Sequence, residues 1–219
     1  REALALRPAY AQASYSLGTV YQAQGKPAEA EAQYRQALAV QPDHAIACCK
    51  LGDVLKEQCK FVEAVAHYRR ALALNAGYTD AHNNLGIALM GQGKFDEAEA
   101  CYRQALALQP AYAEVRNNLG LALRDQGKQV EAIAEFRRAL ALKPDCAEAC
   151  YNLGLLLGEQ GDMHEAAVLC RQALALKPDY IAAENRLMYD LQHLGEWMYL
   201  DALVERQRQR IQAQPAPSL

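Results

Sequence analysis

Seven cysteines, five histidines and a row of asparagines beside carboxylates are the residues of this 219-residue chain whose types could do chemistry. A thiolate paired with a histidine is a nucleophile, and closely spaced cysteines and histidines hold zinc. Cys48, Cys49, Cys59, Cys101, Cys146, Cys150 and Cys170 contain no CxxC and no zinc-like pairing with histidine. Their odd number argues against a disulfide framework, and buried, reduced thiols in a reducing, cytoplasmic compartment are the expectation. His44, His67, His82, His164 and His193 are scattered over unrelated positions. There is no glycine-rich phosphate loop, no nucleophile elbow and no HExxH. The reading is therefore no catalytic residue, no metal and no cofactor on this chain. The third group differs: Asn84, Asn118 and Asn152 fall at equal intervals, each four residues after Asp80, Glu114 or Glu148. An asparagine amide donates and accepts at once, so a regular row could hold an extended chain by its peptide groups.

The intervals come from the elements that carry these residues. Gly18, Gly52, Gly86, Gly120 and Gly154 recur every 34 residues, as do Pro8, Pro42, Pro110, Pro144 and Pro178, with Ala76 in the one vacancy. Glu97-Ala98 returns as Glu29-Ala30, Glu63-Ala64, Glu131-Ala132 and Glu165-Ala166. Within one unit Leu85, Ala88 and Leu89 have helical spacing, and so do Ala98, Tyr102, Ala105 and Leu106. Gly91 and Gly93 punctuate between the two helices, Gly93 suits a left-handed helix end, and Pro110 stops the second helix. Gly86 sits inside a helix, at a cost of roughly 0.5–1 kcal/mol relative to alanine, so contact with the paired helix is its expected reason. Glu97 and its equivalents read as helix-start carboxylates that favour the macrodipole. Each unit is a helical hairpin whose apolar faces need neighbours, which is the logic of a solenoid.

Five full units are expected, at 11–44, 45–78, 79–112, 113–146 and 147–180. Residues 1–10 match the end of a preceding unit, so the sequence reads as a fragment that opens within a repeat and could self-associate weakly through its truncated ends. A degenerate sixth unit at 181–211 carries Met188 for the packing glycine and Leu200 for the packing alanine. A disordered tail is expected at 212–219. Cys59 stands where Gly25, Gly93, Gly127 and Gly161 stand, so a strained left-handed cysteine is expected there. The formal charge of −3 gives no reason to expect nucleic acid as a partner. No stretch approaches the roughly 20 apolar residues of a membrane span.

The small, aromatic and proline slots of TDAHNNLGIALMGQGKFDEAEACYRQALALQPAY, residues 79–112, resemble the tetratricopeptide-repeat family. The resemblance implies an all-α, right-handed superhelix of hairpins whose inner groove is lined by the first helix of each unit. Carried onto this sequence, the groove slots give Asp80, Asn83, Asn84, Glu114, Asn117, Asn118, Arg124, Glu148, Tyr151 and Asn152 as peptide-binding candidates. Asp125 and Glu159 add negative charge, so the expected partner is an extended, somewhat basic protein segment. Ser16, Lys50 and Arg186 break the asparagine row. The carboxylate clamp of chaperone-binding members is absent, because the Ile87 slot never holds asparagine and the Asp80 slot never holds lysine.

A narrower resemblance lies in the form AxxNLGxxLxxQGxxxEAxxxYRxALALxPxY, which is similar to the repeat half of O-linked N-acetylglucosamine transferases and their bacterial SPINDLY-like relatives. Leu191, Gln192, Trp197, Tyr199 and Asp201 resemble the junction to the catalytic domain in that family. It implies a substrate-recruiting region of a glycosyltransferase whose catalytic part lies elsewhere. The alternative is a stand-alone scaffold that assembles other proteins.

Overall fold

The computed structural model describes the backbone of residues 2–213 and the side chains of residues 10–205 and of Arg208. Among the described residues there are twelve helices and no strand, as the periodicity requires. The chain forms two compact units, Arg1–Gly127 and Lys128–Leu219. The first holds α1 (Glu2–Ala23), α2 (Pro27–Val40), α3 (Ala45–Glu57), α4 (Phe61–Leu74), α5 (Thr79–Met90), α6 (Phe95–Leu108) and α7 (Ala113–Asp125). Here α1–α2, α3–α4 and α5–α6 are hairpins, and α2–α3, α4–α5 and α6–α7 pack one hairpin on the next. The second holds α8 (Gln129–Leu142), α9 (Ala147–Glu159), α10 (Met163–Leu176), α11 (Ile181–Leu194) and α12 (Trp197–Ala213). There α9–α10 and α11–α12 are hairpins, joined by packing of α11 on α10 and α9.

One seat recurs inside the hairpins of the first unit. Tyr34, Tyr68 and Tyr102 are buried on α2, α4 and α6. Their rings lie against Gly18, Gly52 and Gly86 of the paired helix. A Cβ on Gly86 would meet Tyr102 Cε1 at 2.5 Å, and one on Gly52 would meet Tyr68 Cε1 at 2.7 Å. The helix-interior glycine is thus the floor under an aromatic ring. In α9–α10 the ring is replaced by Cys170, and Gly154 instead faces backbone: its Cβ would stand 3.1 Å from the Ala166 carbonyl oxygen. The expected close approach of helices is therefore seen at Gly154, and ring seating is seen at Gly52 and Gly86. Gly91 likewise serves contact rather than punctuation. Its φ is −61°, and a Cβ there would meet the Phe61 ring of the preceding hairpin at 2.8 Å.

Successive hairpins are stitched by side chains that sit near the end of one helix and reach back to the previous hairpin. Gln58, Gln92 and Gln126 each donate through Nε2 to the first carbonyl of an earlier second helix, at Pro27 (3.4 Å), Phe61 (3.0 Å) and Phe95 (3.2 Å). Where proline is missing, at Ala76, α4 still stops on time. Asn75 Oδ1 accepts from the Gly77 N–H at 3.1 Å, a side-chain turn that replaces the proline stop.

Two boundaries differ from the sequence reading. A break was expected near Tyr10, but α1 is continuous from Glu2 to Ala23. The same Pro-Ala-Tyr-Ala interrupts the chain at 110–113, between α6 and α7, so this tetrapeptide alone does not make the break. The side chains of residues 1–9, and any self-association through them, lie outside the described residues. At the other end α12 includes Gln212 and Ala213, and the rest of the expected tail, residues 214–219, lies outside the described residues.

Between α3 and α4, Cys59 has φ 59°, the one positive φ of a non-glycine residue among those described. The equivalent turns place Gly25, Gly93, Gly127 and Gly161 in the same left-handed region. Cys59 is exposed and contributes no packing that offsets the strain. Cys59→Gly should therefore raise stability by about 1 kcal/mol in a denaturant titration. An unchanged or lower midpoint would show that the turn carries no such strain.

Candidate functional site

The asparagines of the first unit lie on α5 and α7, and their amides turn to the neighbouring helix. Asn84 donates through Nδ2 to Asp53 Oδ1 on α3 at 2.9 Å and accepts from Lys56 Nζ at 3.2 Å. Asn118 on α7 donates to Asn83 Oδ1 on α5 at 3.1 Å. Asn83 and Asn117 are buried, while Asn84 and Asn118 are half-buried. The donors and acceptors expected to face a ligand thus bind the next helix of the same face.

Asp53 is the hub of this layer. It accepts from Tyr68 Oη at 2.8 Å and from Asn84, and it pairs with Lys50 Nζ at 3.2 Å. Burial works against the Lys50 ammonium, but the charge and hydrogen bond of Asp53 outweigh it and raise its pKa. Burial also raises the Tyr68 phenol, with the Asp53 charge adding to it, so Tyr68 stays a donor. Two ammonium groups stand here, and the α3 end of the face is less negative than the carboxylate count suggests. Farther along, Asp80 and Glu114 are exposed at the first turns of α5 and α7. Asp80 accepts from Tyr112 Oη at 3.3 Å, and α5 contains no lysine or arginine. Ile87 and Leu121 are half-buried on the same helices. Arg124 is spent on Asp125, at 2.7 Å.

In the second unit Asn152 is buried, Tyr151 packs its ring on Tyr180 with centroids 5.0 Å apart, and exposed Glu148 pairs with Lys177 at 3.5 Å. Arg186, which takes the asparagine slot on α11, lies over Gly158 of α9 and over the Tyr189 ring. It pairs with the fully buried Asp190 at 2.7 Å. Burial raises the Asp190 pKa, against the opposing pull of Arg186.

Cys48, Cys49, Cys150 and Cys170 are buried and Cys101 and Cys146 half-buried, whereas Cys59 is exposed, against the expectation of buried thiols. Burial pushes Cys101 and Cys150 up to about 11, and Cys49 and Cys170 up to about 12, which leaves them protonated and unreactive at neutral pH. Among the described residues no cluster of three metal-ligating side chains occurs. No described helix is long and apolar enough to cross a membrane.

A second periodic pattern was missed in the sequence. Arg35 pairs with Glu63 at 2.8 Å, Arg69 with Glu97 at 2.7 Å and Arg137 with Glu165 at 3.2 Å, each joining neighbouring second helices. The signal was available, since each pair is separated by 28 residues. These glutamates do stand in first turns, as expected, and they also bind the preceding hairpin.

Models described as tetratricopeptide repeat match residues 10–76, 43–109, 83–145 and 147–180, most of the chain. The chain belongs to the tetratricopeptide-repeat family. No curated protein matches by sequence. Among solved structures, PilF of Pseudomonas aeruginosa is similar, with TM-score 0.82, 21% identity and 95% of each chain covered. PilW, described as a type IV pilus biogenesis factor, gives TM-score 0.83 at 19% identity, over 93% of this chain and 94% of its own. YrrB, described as having an unusual peptide-binding site, gives 0.64 at 23% identity over 78% and 88%. At these identities the likeness is one of fold.

Because its amide is used in both directions, Asn84→Ala should lower stability by about 1–3 kcal/mol, two part-buried hydrogen bonds at about 0.5–1.5 kcal/mol each. Chemical denaturation reads this directly. A midpoint unchanged within error would show that the amide does not stitch α5 to α3.

Proposed function

We propose that this chain is a protein-interaction module that holds extended, lysine- or arginine-bearing segments of a partner on the first-helix face of its repeats. The observation that carries this reading is the pair of exposed carboxylates, Asp80 and Glu114, beside half-buried Ile87 and Leu121. A segment lying across α5 and α7 would place cations near the carboxylates and apolar side chains between them. The asparagines help by fixing the helices that present these groups, rather than by reading the ligand's backbone throughout. Asn84 and Asn118 keep partial exposure and could still add a contact each. In the second unit Glu148 and Tyr151 offer the same chemistry. Rim carboxylates of this kind steer and select more than they tighten binding.

A role beside a glycosyltransferase rests on the resemblance of the units alone, and a cytoplasmic location on the expectation of reduced thiols. On this chain no nucleotide-sugar site is proposed, and the stand-alone scaffold remains the rival reading.

Fluorescence anisotropy with unstructured peptides of matched length tests the proposal. Basic peptides with spaced apolar residues should bind, weakening as salt rises, and Asp80→Asn with Glu114→Gln should cost about fivefold in affinity. Acidic peptides binding equally well, or a double variant indistinguishable from the parent, would overturn it.

A further inference from the structure

The second unit carries a small cation site that one of its own side chains fills. Glu148 and Tyr151 lie near the start of α9, and Tyr180 stands at the cap of α11. The Tyr151 and Tyr180 rings meet at 52° with centroids 5.0 Å apart, an angled aromatic wall rather than a closed stack. Lys177, just after α10, holds its Nζ 5.0 Å from the Tyr180 centroid and 3.5 Å from Glu148 Oε1. A cation within about 6 Å of a ring centroid is drawn to the negative face of the ring. Burial first, then the Glu148 charge, raises the Tyr180 phenol to about 12, so Tyr180 presents a neutral ring. The site is open: the Glu148 and Lys177 side chains are 53% and 48% exposed, and both rings are half-buried.

Lysine fits this site loosely. Its contact with Glu148 is at the outer limit of a hydrogen bond, and an ammonium is compact and strongly hydrated. A guanidinium is planar, stacks on an aromatic face and gives two parallel N–H bonds to one carboxylate. The first unit repeats part of the arrangement two repeats earlier. There Tyr112 Oη donates to Asp80 Oδ1 at 3.3 Å, and the lysine slot holds neutral Gln109. A carboxylate beside a tyrosine thus recurs, whereas the internal cation belongs to the second unit. We propose that Glu148, Tyr151 and Tyr180 receive one arginine side chain of a partner segment, and that Lys177 is an internal stand-in which this arginine displaces. The inference rests on the interaction reading for the kind of partner, and it assigns one basic residue of the segment to one place on α9 and α11. A site filled by its own chain lowers apparent affinity by the share of molecules in which it is free. Lys177 therefore weakens and sharpens the choice of segment without touching α5 or α7.

Titration of the full chain with acetyl-arginine methylamide, followed by NMR of the tyrosine rings, tests this. The compound carries one side chain and no segment, so it reads the site whether or not peptides cross α5 and α7. It should move the Tyr151 and Tyr180 resonances, with the lysine analogue weaker and the neutral citrulline analogue inert. Lys177→Met should tighten the arginine compound by about threefold, the share released when a weak cation–π contact is removed. Adding Glu148→Gln to that variant should weaken it by about fivefold. Circular dichroism of both variants should remain that of the parent. Rings left unmoved, a citrulline or lysine compound that binds as well, or an affinity indifferent to Lys177→Met overturns the inference. If basic peptides still bind across Asp80 and Glu114 in that event, the interaction reading survives without the site; if the arginine compound binds and no peptide does, the site stands and that reading fails.

Discussion

An aromatic ring needs a floor, and in this protein the floor is a helix-interior glycine. Tyr68 on Gly52 and Tyr102 on Gly86 fix how the two helices of a hairpin face each other. Once that contact is set, the side chains around it have little freedom. Ala64 and Ala98 are wholly buried one turn before their rings, and Leu51, Leu55 and Leu89 close the layer beside them. Glycine weakens a helix through backbone entropy, and burying a tyrosine ring offsets that cost. Where the ring is lost, at Cys170, the facing backbone approaches Gly154 instead, and the hairpin is kept by a different contact on the same pair of positions.

Polar groups then join one hairpin to the next at fixed separations. Glutamines hold helix-start carbonyls, arginines hold the glutamates of the following second helix, and Asn84 and Asn118 hold the adjacent first helix. The exposed ion pairs among these are individually small terms, and their value lies in repetition. This stitching has a functional consequence. The amides are bonded sideways within the face while Asp80 and Glu114 stay exposed on it, so the proposed selectivity rests on the carboxylates rather than on the amides.

The fold was legible because a 34-residue period states helix, turn and helix without needing to know any partner. Even the strain at Cys59 could be read, since a glycine slot names its backbone conformation. The candidate site was less legible. A slot in a repeat tells which face a residue occupies, but not which residue of the neighbouring unit it meets. Asn84 and Asn118 share a slot, yet one meets the Asp53 carboxylate and the other the Asn83 amide, because α3 and α5 differ at those positions. The glutamates alone read as helix-start carboxylates of one helix, whereas the 28-residue spacing to an arginine, present in the sequence, carries a meaning that lies between two helices. The break expected at Tyr10 is absent although the same tetrapeptide interrupts the chain at 110–113, so four residues alone do not specify the turn.

The measurement that bears most directly on the central constraint is the stability of Gly86→Ala by denaturant titration. Helix propensity alone makes this substitution stabilising by about 0.5–1 kcal/mol. A Cβ at 2.5 Å from Tyr102 Cε1 makes it destabilising, by about 1–3 kcal/mol, the usual cost of forcing atoms into a filled core. The ring seat predicts the loss, with the deficit reduced when Tyr102 is shortened to leucine in the same chain. A more stable Gly86→Ala would contradict it, and would mean that the hairpin is held by something other than the ring on its glycine.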